Sequence, residues 1–404
     1  MKITILTQYY PPETGAPQNR LSDLARRMTD AGHEVTVLTA KPNYPRGEIS
    51  EEFRGDLWKI RHENRVRIIH CWLYPSRSKR TVLRLANYFS FVVSSAVIGA
   101  FLLDGADFLL VESPPIFLGV TAWLLSRLKR AKMIFNVSDL YPQTAIELGY
   151  LRPGLAARCL FALEAWCYRS SMLVTGQTEG IVSDIRRRFP SKRVLLLTNG
   201  IDAAEFESFS DATRVRSEIF TVGYAGVHGH AQGLSSVLTA ASHLKELNAP
   251  VRLEFFGDGP LREELQEKAH ALGLTNVEFF GHRPRKEIVE RMKEWDAGLV
   301  PLVNVPLMAG ALPSKIFEVM AASLPVVLSS PRGEASNLVE SAKAGIWAEA
   351  ENAESIADAI RRLLLDREGA RRMGEQGRRF VLQNFDRARI AQAFMAALES
   401  VVAS

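Results

Sequence analysis

The chain has 404 residues, of which 47% are hydrophobic and 24% are charged, with 27 Gly and 19 Pro. This balance is typical of globular proteins and excludes collagen-like, low-complexity and disordered chains. At about 100–200 residues per domain, the length predicts two domains.

The formal net charge of +5 is unevenly distributed along the chain. Residues 1–200 hold 27 Lys and Arg against 17 Asp and Glu, whereas residues 201–404 hold 23 against 28, so the halves carry +10 and −5. Between Arg54 and Arg84 there are nine basic and two acidic residues. The asymmetry indicates that the first half faces something anionic, with ordinary surface scatter as the alternative.

The three cysteines, Cys71, Cys159 and Cys167, do not have the spacing of metal ligands. A sparse and odd set is typical of a reducing compartment rather than of a disulfide framework. At the N-terminus only residues 3–6 form an apolar run before polar residues and two prolines follow, which is unlike a secretory signal peptide. These features predict a cytoplasmic protein.

Short apolar runs alternate with amphipathic segments along the whole chain. The strands predicted from these runs cover residues 2–7, 34–39, 66–72, 108–111, 133–135, 172–175, 194–197, 219–224, 253–256, 277–280, 298–300 and 325–328. In the second half, helices are predicted at residues 234–247, 260–272, 285–294, 314–322, 353–365 and 387–401. The alternation indicates βαβ units around parallel sheets, and the turn at Asn199-Gly200 places a domain boundary near residues 200–215. The predicted fold class is α/β, with two Rossmann-like domains facing one another across a cleft.

Residues 88–103 form a sixteen-residue segment without a charged side chain. It is shorter than the roughly 20 apolar residues of a spanning helix. A membrane span, a buried domain helix and an interfacial helix all remain open. The basic residues before the segment add support to the interfacial option, in which Tyr88 and Phe89 would begin the docking helix; these basic residues are Arg77, Lys79, Arg80 and Arg84.

Three glycine-rich loops follow predicted strands, at Gly15, at residues 226–233 and at Gly257-Asp258-Gly259. Glycine lets the backbone approach a phosphate closely, and the N-terminus of a following helix carries a partial positive charge. Each loop alone is equally well explained as a tight turn. Three of them, split between two domains, favour a bound diphosphate.

The most informative stretch is Pro313-Ser314-Lys315 followed by Glu318. Ser314 is predicted to cap a helix, which places Lys315 in its first turn and Glu318 one turn later on the same face. A lysine there opposes the helix dipole unless an anion is bound, and a glutamate there can accept hydrogen bonds from a ribose diol. The alternative is an exposed surface pair.

With these motifs in place, the chain resembles the family-4 glycosyltransferases of the GT-B fold, of the bacterial O-antigen, capsule and colanic-acid type. The resemblance spans essentially the whole chain and lies nearest to the N-acetylfucosamine transferases. The sequence motifs that carry it are Tyr9-Tyr10-Pro-Pro-Glu-Thr-Gly15, Gly32-His33-Glu34-Val35, Thr198-Asn199-Gly200-Ile201-Asp202, residues 226–233, Phe256-Gly257-Asp258-Gly259-Pro260 and Pro313-Ser314-Lys315-Ile316-Phe317-Glu318.

The resemblance implies an acceptor-binding domain at residues 1–205, a nucleotide-sugar-binding domain at 206–385 and a C-terminal helix at 386–404 that crosses back to the first domain. It also implies roles for residues that match the family motifs. Glu318 would bind the nucleotide ribose, and Lys315 would contact the donor diphosphate. The residues implied as further donor contacts are Gly15, Gly226, His228, Gly229, Gly257, Asp258, Pro313 and Ser314. Asp139, Lys315 and His228 are the predicted catalytic residues, with Asp139 near the reacting sugar.

Two positions depart from the family pattern. A glutamate that often holds sugar hydroxyls is replaced by Gly310, so the backbone amides of residues 308–310 (Met308, Ala309 and Gly310) would contact the sugar, which suits a deoxy or N-acetylated sugar. The basic residues that commonly grip the diphosphate are Val227 and Gln232 here, so Lys315, His228 and His230 would have to compensate.

The predicted activity is retaining transfer of a sugar from a UDP-sugar substrate to an undecaprenyl-diphosphate-linked saccharide at an anionic membrane surface. No cofactor and no metal are expected, because positive groups of the protein would stabilise the leaving diphosphate. The protein would be cytoplasmic and peripherally bound to the inner face of the plasma membrane. A UDP-sugar 2-epimerase and a non-catalytic binding scaffold are the alternatives, and nucleic-acid binding is not expected.

Overall fold

The structure, a computed structural model, describes residues 1–13, 15–43, 47–76, 81–147, 149, 151–209 and 217–402, without the side chains of residues 16, 81, 84 and 402. The chain divides into two compact units. Residues 1–199 and 388–404 form the first unit, and residues 200–387 form the second.

The first unit is built on a sheet of eight strands in the order β3-β4-β2-β1-β5-β6-β7-β8. The strands are β1 (Lys2–Leu6), β2 (Glu34–Ala40), β3 (Trp58–Glu63), β4 (Val66–Cys71), β5 (Phe108–Ser113), β6 (Lys132–Val137), β7 (Leu173–Gly176) and β8 (Val194–Leu196). Most are apolar on both faces because helices cover both sides of the sheet, as is usual for parallel strands. Among the strands described in this unit, only β3 runs antiparallel to its neighbour.

Strand β3 was not predicted because its sequence, Trp58 to Glu63, is polar and exposed at most positions. It pairs with β4 through a two-residue hairpin turn at Asn64 and Arg65, whose φ angles are 48° and 64°. Positive φ at both central residues is the geometry of a type I′ turn, for which Asn is favoured. The turn at Asn64 and Arg65 was therefore the sequence feature from which the β3–β4 hairpin could have been predicted.

Among the described residues of the first unit, six helices precede the boundary. They are α1 (Ala16–Asp30), α2 (Thr81–Leu102), α3 (Leu118–Leu128), α4 (Gln143–Glu147), α5 (Leu155–Ser170) and α6 (Glu179–Arg188). Pro17 lies in the first turn of α1, where its missing N–H is tolerated.

The second unit is built on an all-parallel sheet of six strands in the order β11-β10-β9-β12-β13-β14. The strands are β9 (Phe220–Ala225), β10 (Val251–Phe256), β11 (Val277–Gly281), β12 (Ala297–Pro301), β13 (Val326–Ser330) and β14 (Gly345–Glu349). The helices are α7 (Leu234–Glu246), α8 (Arg262–Ala271), α9 (Arg285–Arg291), α10 (Ser314–Ala321), α11 (Glu334–Ser341), α12 (Ala353–Leu365) and α13 (Arg367–Asn384). Counted within the unit, the order is 3-2-1-4-5-6, the arrangement of dinucleotide-binding folds.

The last helix, α14 (Arg387–Val402), belongs to the first unit apart from its first residue. Its apolar face, formed by Ala391, Phe394 and Leu398, is buried in one cluster with residues of β1 and α1. The predicted return of the C-terminal helix to the N-terminal domain is confirmed. The prediction of two Rossmann-like α/β domains is confirmed as well.

Candidate functional site

The strand order of the second sheet reverses between β9 and β12, which are neighbours although three helices and two strands separate them in sequence. The loops that leave the carboxyl ends of these two strands meet, because the Val303 amide donates to the Ala231 carbonyl over 3.1 Å. Ligands of open α/β sheets bind at such a reversal point. The candidate site of the second unit is therefore formed by residues 226–233 and 302–318.

Two of the predicted glycine loops interlock at this point. The amide of Gly226 donates to the Phe256 carbonyl over 2.9 Å, and the amide of His228 donates to the Asp258 carbonyl over 2.9 Å. Gly257 has a φ of 124°, and a Cβ at this position would lie 1.9 Å from the Gly226 carbonyl oxygen. Only glycine fits there, so the two loops form a floor of bare backbone.

Lys315 lies over this floor. A Cβ added at Gly226 would lie 2.1 Å from Lys315 Cε, and Lys315 Nζ is 5.1 Å from the centroid of the Tyr224 ring. Lys315 is half-buried, and its ammonium makes no hydrogen bond or ion pair with any residue that the structure describes. A half-buried cation without a counter-ion beside a glycine backbone is an arrangement suited to bind an anion.

Burial lowers the pKa of Lys315, and the nearby Glu318 carboxylate opposes that shift. The direction follows from the cost of keeping an ammonium where water is restricted. Binding of an anion would reverse the effect by favouring the charged form.

Helix α10 begins at Ser314, and its N-cap is Pro313, without a side-chain capping bond. The prediction that Ser314 is the N-cap was wrong, because Pro313 holds the extended conformation that a cap needs and Ser314 is already helical. The free amides of the first turn are thus left without a side-chain acceptor, next to Lys315.

Glu318, one turn into α10, is paired with Arg285 at the start of α9. Arg285 Nη1 donates to Glu318 Oε1 over 2.9 Å, and the same guanidinium contacts Glu205 at 2.7 Å. Neither Arg285 nor Glu205 was predicted from the sequence. The position of Arg285, just after β11 at the carboxyl edge of the sheet, was the signal available.

His228 is placed differently from the prediction. Its side chain is completely buried and lies among the rings of Tyr224, Phe255 and Phe279, at centroid distances of 6.0–6.4 Å. Burial, followed by the charge of Arg262, lowers the pKa of His228. Because the imidazole packs into the core, it does not reach the surface of the loop in this structure, and only the His228 backbone belongs to the floor.

The remaining predicted donor contacts lie around this floor. Gly229 precedes a short 3₁₀ turn, and α7 begins five residues after Gly229, at Leu234 behind Gly233, whose φ is 57°. Asp258 is exposed, and its carboxylate accepts a hydrogen bond from the amide of Gly259 over 2.8 Å. The Asp258 carboxylate therefore already accepts a hydrogen bond from within its own loop.

Met308, Ala309 and Gly310 form part of a 3₁₀ turn, Pro306–Gly310, between β12 and α10. Gly310 is exposed, and a Cβ there would meet nothing within 4 Å, so no close packing requires this glycine. The roles of these residues in sugar binding stay predictions.

In the first unit, the strand order reverses between β1 and β5, and a buried polar network lies there. Arg20 of α1 donates to Glu112 at the end of β5 over 2.6 Å, and both side chains are almost fully buried. Asn136 and Ser138 also donate to Glu112, and Thr175 donates to Asn136 over 2.6 Å. Sequence reasoning missed this network, although Glu112 interrupts an apolar strand.

Asp139 follows β6 beside this network and is exposed. Protein around its carboxyl group limits hydration and raises the pKa of Asp139, the Glu112 carboxylate adds to this, and Arg20 opposes it. Gly15 precedes α1 and accepts the Asn19 amide over 3.1 Å. Their predicted roles at the donor stay predictions.

The predicted membrane residues are only partly within the described structure. Arg77, Lys79 and Arg80 lie outside the described residues, as does the side chain of Arg84. Tyr88 is half-buried in α2, and Phe89 is exposed, with its ring 4.6 Å from that of Phe117. Within the described chain, one helical segment, Leu85–Leu102, is long and apolar enough by length and composition to cross a membrane.

Within the described ranges, no group of three or more His, Cys, Asp and Glu side chains is arranged to hold a metal ion. The donor set at the candidate site of the second unit is cationic and amide-rich, which suits an anion.

Comparison with known proteins extends these observations. Residues 15–200 match the family model "Glycosyl transferase 4-like domain", and residues 205–380 match the family model "Glycosyl transferases group 1". WcaI of Escherichia coli (strain K12), provisionally named a colanic acid biosynthesis glycosyl transferase, is 25% identical over 380 residues, which cover 90% of this chain and 92% of WcaI.

Solved structures share the fold at lower identity. Sucrose-phosphate synthase from Thermosynechococcus elongatus is 17% identical with a TM-score of 0.77, covering 100% of this chain and 99% of that one. Anabaena HepE, solved in complex with UDP and glucose, is 19% identical with a TM-score of 0.71, covering 99% and 100%.

The two family matches favour a transferase over the epimerase alternative. The resemblance found in the sequence is confirmed at the level of the family and the fold, and the N-acetylfucosamine subgroup stays a prediction. The chain is a glycosyltransferase of the GT-B fold, in which a glycosyl transferase 4-like domain precedes a group 1 glycosyl transferase domain.

Proposed function

We propose that this glycosyltransferase moves a sugar from a UDP-sugar to a lipid-diphosphate-linked saccharide during cell-surface polysaccharide synthesis, with retention at the anomeric carbon. The observation that carries the proposal is the unpaired Lys315 ammonium over the glycine floor. Glu318 lies one helical turn further along α10 and would accept hydrogen bonds from the ribose.

Sugar transfer breaks the bond between the anomeric carbon and a phosphate oxygen, so negative charge grows on the leaving diphosphate. Fixed positive groups that meet this charge lower the barrier more than groups that must reorganise. Lys315 and the uncapped amides at the start of α10 supply such groups. The acceptor hydroxyl then bonds to the anomeric carbon, and its proton passes to the departing diphosphate.

The choice of donor is supported by HepE, whose structure contains UDP and glucose. The choice of acceptor is supported by WcaI, which is named for colanic acid biosynthesis. The exposed Gly310 in place of a side chain that would hold sugar hydroxyls favours a deoxy or N-acetylated sugar, such as N-acetylfucosamine.

The test is a screen of UDP-sugars, measured by UDP release, with and without a synthetic lipid-diphosphate saccharide. We expect release that depends on the acceptor and persists in EDTA. Epimerised donor in the absence of acceptor would support the epimerase instead. Activity with a GDP-sugar alone, seen as GDP release, would show that the donor is a GDP-sugar and not a UDP-sugar. Requirement for a divalent ion would overturn the expectation of metal independence.

We propose further that the protein acts in the cytoplasm, bound to an anionic membrane surface through the helical layer of α2, α3 and α5. Exposed apolar side chains line this layer: Phe89, Val93, Val97 and Phe101 on α2, Val120, Leu124 and Leu128 on α3, and Leu155 and Phe161 on α5. The exposed charged side chains described on these three helices are all arginines, which are Arg127, Arg158 and Arg169. An apolar face with a basic margin is suited to anionic lipid.

Sedimentation with vesicles of phosphatidylglycerol and phosphatidylcholine tests this surface. We expect the double variant that carries both Val97→Asp and Phe101→Asp to lose vesicle binding, because both substitutions introduce a negative charge on the apolar face. Leu365→Asp on α12, where the side chain is 75% exposed, is the matched control and should bind as the wild type does. Equal binding by all three proteins would discard the membrane proposal.

A further inference from the structure

Glu318 is held by a partner that the proposed reaction does not itself require. Arg285 Nη1 donates to Glu318 Oε1 over 2.9 Å, while Arg285 Nε donates to Glu205 Oε2 over 2.8 Å. We propose that Arg285 is a positioning residue for the ribose, which fixes the Glu318 carboxylate so that it accepts hydrogen bonds from the ribose diol. This inference rests on the proposed nucleotide donor.

The three side chains come from three separate parts of the second unit. Arg285 begins α9, Glu318 lies in α10, and Glu205 lies in a 3₁₀ turn, Ala203–Phe209, shortly after the start of the unit. An isolated exposed ion pair contributes little. Here the guanidinium uses Nε and Nη2 on Glu205, at 2.8 and 2.7 Å, so its plane is fixed before Nη1 reaches Glu318.

Arg285 keeps its positive charge between Glu318 and Glu205. Burial works against the charged guanidinium, but Glu318 and then Glu205 outweigh it and raise the pKa of Arg285. Arg285 is therefore a permanent cation between two carboxylates.

A carboxylate has about four lone-pair positions on two oxygens. Arg285 occupies one position on Glu318 Oε1, and no hydrogen bond to Oε2 from a described residue is present. The free positions match the two hydroxyl donors of a ribose diol. Arg285 occupies two positions on Glu205, both on Oε2, and only one position on Glu318.

This arrangement predicts that loss of Arg285 weakens the binding only of nucleotides that carry the ribose diol. Loss of Arg285 should weaken the binding of UDP and leave the binding of 2′,3′-dideoxy-UDP nearly unchanged, since the latter lacks the hydroxyls that Glu318 would accept. A residue that merely attracts the diphosphate, or that stabilises the fold, would affect both nucleotides equally.

Titration calorimetry with both nucleotides tests the inference on the wild type, Arg285→Ala, Glu205→Gln and Glu318→Ala. We expect Arg285→Ala to weaken UDP binding roughly two- to fivefold and to leave dideoxy-UDP binding nearly unchanged, given the modest strength of half-exposed ion pairs. Glu205→Gln should act in the same direction and more weakly. In the Glu318→Ala background, Arg285→Ala should cause no further loss.

Lys286→Ala is the matched control, because it removes a positive charge from the adjacent position of α9. In kinetics, Arg285→Ala should raise the KM for donor with little change in kcat, and Arg285→Lys should restore part of the affinity. Thermal unfolding followed by circular dichroism checks that each variant is folded.

Four outcomes would overturn the inference. Equal losses for UDP and dideoxy-UDP would assign Arg285 to charge or stability, and additive losses with Glu318→Ala would separate the two residues. Unchanged UDP binding by Arg285→Ala would remove the role while leaving the proposed donor intact. If the wild type itself does not bind UDP, the proposed donor is wrong, and the ribose role fails with it.

Discussion

The points where strand order reverses in the two units use their charged residues in opposite ways. In the first unit, Arg20 and Glu112 neutralise one another in a network that also satisfies Asn136 and Ser138. In the second unit, Lys315 has a glycine floor beneath it and no counter-ion among the described residues. A closed network stabilises the fold, whereas a cation held without a counter-ion is available to a ligand.

The largest effect is expected where the closed network is broken. Arg20→Ala would leave the Glu112 carboxylate buried without its cation, which typically costs about 3–5 kcal/mol. The midpoint of urea unfolding, followed by circular dichroism, measures this cost. Arg26→Ala removes a half-exposed ion pair of the same helix and should cost under about 1 kcal/mol. Similar midpoints for the two variants would show that the network does not stabilise the first unit.

The second prediction concerns the unpaired cation. Lys315→Met should lower kcat/KM by about 10²–10³-fold, which is typical when a fixed group that stabilises developing charge is removed. The same variant should be at least as stable to heat as the wild type near neutral pH, because burial lowers the pKa of Lys315 and thus makes its charge unfavourable in the fold.

The UDP-release assay measures the effect on kcat/KM, and thermal unfolding measures the effect on stability. Lys286→Ala is the control for loss of a nearby charge. If the Lys315→Met variant lost stability as well as activity, Lys315 would be a structural residue, as Arg20 is, and not a ligand-binding one.

A smaller effect is expected one turn further along α10. Glu318→Ala should weaken UDP binding by about tenfold, since one pair of hydrogen bonds to a charged group is lost. Isothermal calorimetry with UDP and with inorganic diphosphate separates the contributions, because diphosphate binding should not weaken. Weaker diphosphate binding would mean that Glu318 acts on the floor and not on the ribose.

The smallest effect is a change in pH dependence. Because burial lowers the pKa of Lys315, the free protein loses the ammonium on the alkaline side at a lower pH than an ordinary lysine would. UDP affinity should therefore fall as pH rises through that pKa, by no more than about tenfold per pH unit. Lys315→Arg, which stays charged, should bind with a flatter profile. Parallel profiles for the two proteins would contradict the assignment.

The sequence predicted the parallel architecture well, because buried parallel strands are continuous apolar runs that periodicity detects. It missed α11, β14 and α13. The sequence of α13, from Arg367 to Asn384, is strongly polar and contains three glycines. Buried positions of α13 include Gly369, Gly374 and Gly377, so its packing uses small residues rather than an apolar stripe.

For the site, sequence motifs predicted the glycine loops, Lys315 and Glu318, and the structure brings Gly226, Gly257 and Lys315 together. Partners that lie far apart in sequence were not predictable in this way. Arg285 and Glu318 are separated by 33 residues, and Arg20 and Glu112 by 92. The direction of the His228 side chain also required the structure, because a loop histidine can turn outward or into the aromatic core.

The position of α14 has a consequence for synthesis of the protein. The first unit includes Phe394 and Leu398 in its core, so its folding cannot be completed until almost the whole chain has left the ribosome. The second unit is continuous in sequence and is complete once residue 387 has emerged. The half that is translated first is therefore the half that matures last, and until then its unfinished core is exposed to chaperones and proteases.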